Sequence, residues 1–175
     1  MINNKLEKSN IISNCLTIII LIFNLMQLYT YELSFFEDET TNFTLLDTGL
    51  YAMNKYVNLY WKEESRHPYI LRCDGNLAGF VLVRYNEQKM YEIAEFFVLN
   101  KYRRNGAGKF MADKIFEIYK GKWEIRTLIK NKRAQDFWRS IIKNISNDNF
   151  EEKLIKDNSR YAFYFDNKKE GVNNE

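Results

Sequence analysis

Histidine, proline and cysteine are scarce in this chain, and each scarcity closes off a class of sites. The single histidine, His67, argues against a histidine-based metal centre or catalytic triad. It precedes Pro68, and the pair is expected to lie in a turn that ends the preceding region. The two cysteines, Cys15 and Cys73, fit no metal-ligand spacing and sit in apolar runs. They read as free, buried thiols in a reducing compartment, so a cytoplasmic protein with no metal is expected. One proline and seven glycines leave no collagen-like, linker-like or low-complexity stretch, and no internal repeat is visible. At 175 residues, one domain spanning 1–175 is the natural expectation.

Apolar residues, by contrast, are plentiful. A hydrophobic share of 46% supports a full core, and 28% charged residues is ordinary for a soluble protein. Charge is distributed unevenly. Residues 31–64 carry seven acids against Lys55 and Lys62, a balance of −5, whereas residues 100–143 carry thirteen Lys/Arg against four acids, a balance of +9. The second half therefore reads as built to meet an anion, with a solvated basic face as the plain alternative. One run, "IISNCLTIIILIFNLMQL" at 11–28, is apolar enough to suggest a signal or an anchor. Asn14, Asn24 and Gln27 interrupt it, no small-x-small cleavage pattern follows, and its helical spacing continues beyond it. It is read as a buried helix.

Periodicity gives the elements. A short strand is expected at 2–7, a helix at 11–33 and a second helix at 50–63, where apolar residues recur at 53, 56, 57, 60 and 61. "YILRCD", "GN" and "LAGFVLVRY" read as strand, tight turn and strand, and "MYEIAEFFVL" as a third strand after "NEQK". A helix then runs to about Lys120, with Gly121 as its stop. In "KWEIRTLI", Trp123, Ile125 and Thr127 alternate with Glu124 and Arg126, as in a strand. "NKRAQDFWRSIIKNI" puts Ala134, Phe137, Trp138, Ile141, Ile142 and Ile145 on one helical face, and two paired strands follow. The fold class is α/β (α+β), a mixed sheet with helices on it.

The loop "NKYRRNGAGK" joins the third meander strand to a helix N-terminus, where unpaired N–H groups and the positive end of the helix dipole attract anions. Three phosphate-binding patterns compete. The P-loop fails because Phe110 follows "GK" and Arg103 stands where its first glycine belongs. The dinucleotide pattern G-x-G-x-x-G fails at Met111, and it expects a parallel βαβ unit rather than a meander. The third, Arg/Gln-x-x-Gly-x-Gly/Ala after a strand, is met by Arg103, Gly106 and Gly108.

These residues resemble the GNAT superfamily of acetyl-CoA-dependent N-acetyltransferases. "FFVLNKYRRNGAGKFM", the strand "WEIRTLI" and "NKRAQDFW", which is similar to the family's Asn-x-x-Ala-x-x-Phe-Tyr segment, carry the match. The order of expected elements extends it over nearly the whole chain, nearest to a bacterial branch with a "QLY" first helix and an "FFV..KYRR.G.G" motif. The resemblance implies a mostly antiparallel central sheet with about four helices, acetyl-CoA as cosubstrate and an amine as acceptor. It implies that the backbone of Arg104, Asn105, Gly106, Ala107, Gly108 and Lys109 cradles the diphosphate, with Lys101, Arg103, Arg104 and Lys109 supplying charge. It places the pantetheine arm along Phe97, Val98 and Leu99, in a splay beside "WEIRTLI", with Asn131 reaching it from the other side. Asn131 reads equally as a plain helix N-cap. Members of the family often dimerise.

The implied reaction is direct attack of the amine on the thioester. Glu92 and Glu95 are the candidate bases, since both lie in an otherwise apolar strand where burial favours a proton acceptor near neutral pH. Glu92 falls where histone-acetylating members carry their base, and Glu95 lies nearer the thioester. Either also reads as an ordinary structural carboxylate. The chain departs from the family at Trp138, which stands where the usual acid is a tyrosine; an indole cannot deliver a proton. Trp138 packs either the cofactor arm or the core. Tyr29, Tyr31, Tyr56, Tyr60 and Trp61 fall where the family builds its acceptor pocket. The acids Glu37, Asp38 and Glu39 beside it suggest a cationic acceptor, or merely a solvated loop. Two other readings stay open: a CoA-binding protein that does not catalyse, and a basic nucleic-acid-binding module.

Overall fold

The computed structural model describes residues 3–8, 15–36, 43–52, 56–155 and 159–168. Seven strands form a mixed, mostly antiparallel sheet, with three α-helices among the described residues. The strands are β1 (Asn4–Lys8), β2 (Arg66–Cys73), β3 (Asn76–Tyr85), β4 (Tyr91–Val98), β5 (Lys122–Leu128), β6 (Phe150–Ile155) and β7 (Arg160–Asp166). The helices are α1 (Cys15–Ser34), α2 (Ala107–Ile118) and α3 (Lys132–Ile145). Two compact units make up the chain. The first holds residues 1–84 and 93–111, the second 85–92 and 112–175.

In the first unit the strand order is β1-β2-β3-β4. The β2–β3 hairpin turns at Asp74 and Gly75, both left-handed (φ 50° and 78°), which matches the twist of a two-residue hairpin. The glycine signal was legible, but the turn lies one residue earlier than "GN". Ile70, Phe80 and Leu82 from the sheet meet Ile18, Ile22, Leu25 and Met26 of α1 in one core. Helix α1 thus buries one stripe, at the spacing of a helix face, while Ile20, Leu28 and Tyr31 stay exposed.

Two expectations fail here. The segment 50–63 is no α-helix in its described part; it forms a five-residue 3₁₀ helix, Val57–Trp61, that buries Val57 and Tyr60. Positions three apart eclipse in that geometry, so two anchors suffice. His67 and Pro68 lie within β2, opposite Val83 and Leu82, and not in a turn. Pro68 is the third residue of β2 and directly precedes Tyr69, the partner of Lys8 at the end of β1.

In the second unit the order is β5-β7-β6, all antiparallel. Trp123, Phe116, Phe165 and Trp138 stack edge-on or parallel as its aromatic centre. The end of α2 is closed by a distant residue. Asn167 donates to the Phe116 and Tyr119 carbonyls at 2.9 and 3.0 Å, and its side-chain oxygen accepts from Gly121 N–H at 2.8 Å. The helix ends two residues earlier than expected, at Ile118, with Gly121 left-handed (φ 148°) beyond it.

Candidate active site

After β4 the chain makes one 3₁₀ turn, Asn100–Tyr102, in which Tyr102 N–H donates to Leu99 O at 2.9 Å and Arg103 N–H to Asn100 O at 3.1 Å. The backbone then alternates. Arg104 and Gly106 are left-handed (φ 64° and 78°), and Asn105 between them is not. Such alternation turns successive N–H groups towards one side, the geometry of an anion nest. A left-handed arginine costs on the order of 1 kcal/mol, so the surrounding turn must hold it. Helix α2 starts directly at Ala107 with no acid in its first turn, which leaves its dipole free to meet an anion. Arg104, Asn105, Gly106 and Lys109 are exposed, Gly108 is half-buried, and Ala107 is buried beneath.

Arg103 behaves differently from the other loop cations. Its Nε donates to the Val98 carbonyl at 2.5 Å, and its Nη2 lies 2.7 and 2.6 Å from the two carboxylate oxygens of Glu32 in α1. Its guanidinium carbon sits 5.5 Å from the centre of the Phe97 ring. The side chain is 17% exposed and its charge is matched locally, so Arg103 brings its backbone to the loop but little net charge. The strand end itself is fixed twice, because Leu99 N–H donates to Ala78 O at 2.8 Å. Gly79 next to it is there for space. A Cβ would run into the Phe97 carbonyl oxygen and come within 3.1 Å of the Val98 Cα.

The two candidate bases sit in different surroundings. Glu92 is buried and accepts from the Asn86 side-chain amide at 2.5 Å; its charge also adds to the field at Arg126. Glu95 is half-buried, and its charge acts on the phenol of buried Tyr60. Burial first, then the Glu95 charge, pushes the Tyr60 phenol well above its ordinary range, while Arg66 lies 5.3 Å over its ring.

In the second unit Asn131 caps α3, its side-chain oxygen accepting from Ala134 N–H at 3.1 Å. Buried Gln135, which the sequence reading passed over, donates to the carbonyls of Leu128 and Ile129 at 3.0 and 2.8 Å and so fixes the end of β5. A lone glutamine on an apolar helix face was the available signal. Trp138 is buried against Phe116 and Phe137, ring centres 6.4 and 4.9 Å away. On β5 the polar face is not simply solvated. Glu124 is buried, holds Arg126 bidentately at 2.8 and 2.9 Å, and accepts from the Tyr164 hydroxyl at 2.9 Å. Burial and that carboxylate push the Tyr164 phenol up to about 12. Glu37, Asp38 and Glu39 lie outside the described residues.

Solved structures share this fold. A GNAT-family acetyltransferase from Streptococcus agalactiae 2603 superimposes with TM-score 0.68 at 13% identity, covering 95% of this chain and 96% of that one. The ribosomal-protein-S18-alanine N-acetyltransferase of Escherichia coli gives 0.60 at 11% identity, with 98% of each chain covered. A protein assigned as a streptothricin acetyltransferase from Bacillus anthracis str. Ames, solved with acetyl coenzyme A, gives 0.51 at 20% identity over 66% of this chain and 69% of that one. Among curated protein sequences none matches the chain. Residues 26–141, more than half of the chain and the stretch that holds the loop, β4, β5 and most of α3, match the Acetyltransferase (GNAT) family, and the protein belongs to it.

Proposed function

We propose that this acetyltransferase moves the acetyl group of acetyl-CoA directly onto a primary amine. The observation that carries the reading is the loop: a family motif whose left-handed Arg104 and Gly106 lead straight into α2, with exposed cations around it. In this reading the N–H groups from Arg104 to Lys109 bind the diphosphate, Lys101, Arg104 and Lys109 offset its charge, and the backbone at Phe97, Val98 and Leu99 aligns the arm.

The amine nitrogen attacks the carbonyl carbon, the tetrahedral adduct collapses, the C–S bond breaks and the sulfur takes up a proton. The products are the amide and free CoA. Glu95 is the better-placed base. It is the more exposed of the two, whereas Glu92 is buried and accepts from the Asn86 amide. Trp138 cannot protonate the thiolate, so water or a tyrosine does so. The acceptor is a small-molecule or protein amine, with a cationic one favoured by the acids of 31–64. Buried, free Cys73 suits a reducing, cytoplasmic setting.

Calorimetry with acetyl-CoA, followed by an amine panel read by mass spectrometry, tests this. Wild type is expected to bind and to acetylate at least one amine. Glu95→Gln should lower turnover by about 10²–10⁴ with cofactor affinity intact, and Glu92→Gln much less. Binding without any product would support the non-catalytic reading that Trp138 motivates. No binding would overturn the proposal, and a salt-sensitive shift of RNA or DNA would then favour the nucleic-acid reading.

A further inference from the structure

Glu32 has no place in the loop motif and none in the chemistry above. It sits in the last turn of α1, where the helix dipole disfavours a carboxylate and no basic residue of that turn offsets it. What it does have is Arg103, 71 residues away, whose Nη2 both of its carboxylate oxygens accept from. The same guanidinium donates to the Val98 carbonyl and lies over the Phe97 ring. One side chain thus ties the final two residues of β4 to the end of α1, while the backbone N–H of the same residue closes the turn Asn100–Tyr102.

The consequence follows along the backbone. Arg103 is the last residue before the left-handed step at Arg104, and a strained residue persists only where its neighbours over-determine it. The 3₁₀ turn fixes the Arg103 N–H, and the Glu32 pair fixes its side chain. Resting on the acetyl-CoA reading above, we propose that Glu32 is a positioning residue for the cofactor: through Arg103 it sets the Val98 carbonyl and the start of the Arg104–Lys109 loop in their binding geometry. Arg103 is then a strut and no phosphate ligand. A charge-assisted hydrogen bond of this kind is about twice as strong as a neutral one, which suits such a role.

The test compares acetyl-CoA affinity by calorimetry in wild type, Glu32→Gln, Glu32→Asp, Arg103→Met and the double variant Glu32→Gln/Arg103→Met. Measurements are made well below each variant's unliganded melting temperature, so that lost stability does not enter. Glu32→Gln is expected to weaken binding on the order of tenfold, the scale of one charge-assisted hydrogen bond, and Glu32→Asp less. The double variant should bind no worse than Arg103→Met alone, because both changes break one strut. Unchanged affinity in Glu32→Gln overturns the proposal. So does tighter binding, which would mean that Glu32 withholds Arg103 from the phosphates. If wild type itself does not bind acetyl-CoA, the cofactor reading fails and this inference falls with it; if wild type binds and Glu32→Gln matches it, only this inference fails.

Discussion

Gly79 and Gly106 are both glycine for reasons of backbone, but for opposite ones. At Gly79 the φ angle is unremarkable and the obstacle is Phe97, whose carbonyl occupies the space of a side chain. At Gly106 nothing lies within 4 Å of a hypothetical Cβ, and the obstacle is the angle itself, +78°. The two substitutions by alanine should therefore part company. Gly79→Ala must push β3 and β4 apart where they close on Leu99, and should cost about 3 kcal/mol, the upper end for overpacking. Gly106→Ala should cost about 1 kcal/mol of left-handed strain and leave the strands unchanged. Denaturant melts, with amide exchange at Leu99 as the local probe, separate them; equal losses would contradict the geometry. Only the second glycine announced itself in the sequence. Gly79, Asn86 and Glu32 act on partners fixed by the fold, and no local pattern marks such pairs.

The elements with regular spacing could be read directly. α3 shows its apolar stripe, and Trp138, Ile141 and Ile142 are buried as that stripe requires. β5 shows its alternation, yet its second face hides a charge cluster, because Glu124 finds Arg126 two residues on and Tyr164 across β7. That cluster makes an alkaline prediction. Tyr164 in the folded protein keeps its proton to about pH 12, against an ordinary value of 10.0. A raised folded pKa gives stability that is whole below pH 10 and drains away as pH climbs through 12. Tyr164→Phe should flatten part of the loss of stability between those limits, measured by denaturant melts across alkaline pH. An unchanged slope would sink the assignment. The 50–63 segment misled for a different reason. Aromatics at helical spacing satisfy a 3₁₀ turn as well, and when Val57 and Tyr60 are the anchors, three-residue spacing is all that is needed.

For the whole chain, the basic excess of residues 100–143 was visible from composition, but its use was not. Several of these cations are tied to acids: Arg103 to Glu32, Arg126 to Glu124, Arg139 to Glu152 and Asp136, Lys114 to Glu117. Composition counts charges; the fold decides what each of them meets. With Arg103 matched by Glu32, acetyl-CoA affinity should fall with salt as Lys101, Arg104 and Lys109 are screened, over a Debye length of about 8 Å at physiological ionic strength. Arg103→Met should weaken binding while leaving that salt slope almost as in wild type, whereas Arg104→Met should make it shallower. A slope that drops equally in both variants would show Arg103 acting as a phosphate ligand.

The clasp at Asn167 gives the molecule a timetable. As the chain leaves the ribosome, α2 and its loop emerge early, but the helix's last carbonyls wait for a partner 48 to 51 residues downstream. Until β7 has threaded between β5 and β6, those groups have only water, and the aromatic centre around Trp123 lacks Phe165. Contacts of this range are slow to form, because the intervening loop must first be closed. The second unit is therefore a late event in biosynthesis, completed only when the final strand arrives. A nascent chain stalled before residue 160 would carry the glycine loop on a helix whose end Asn167 does not yet close.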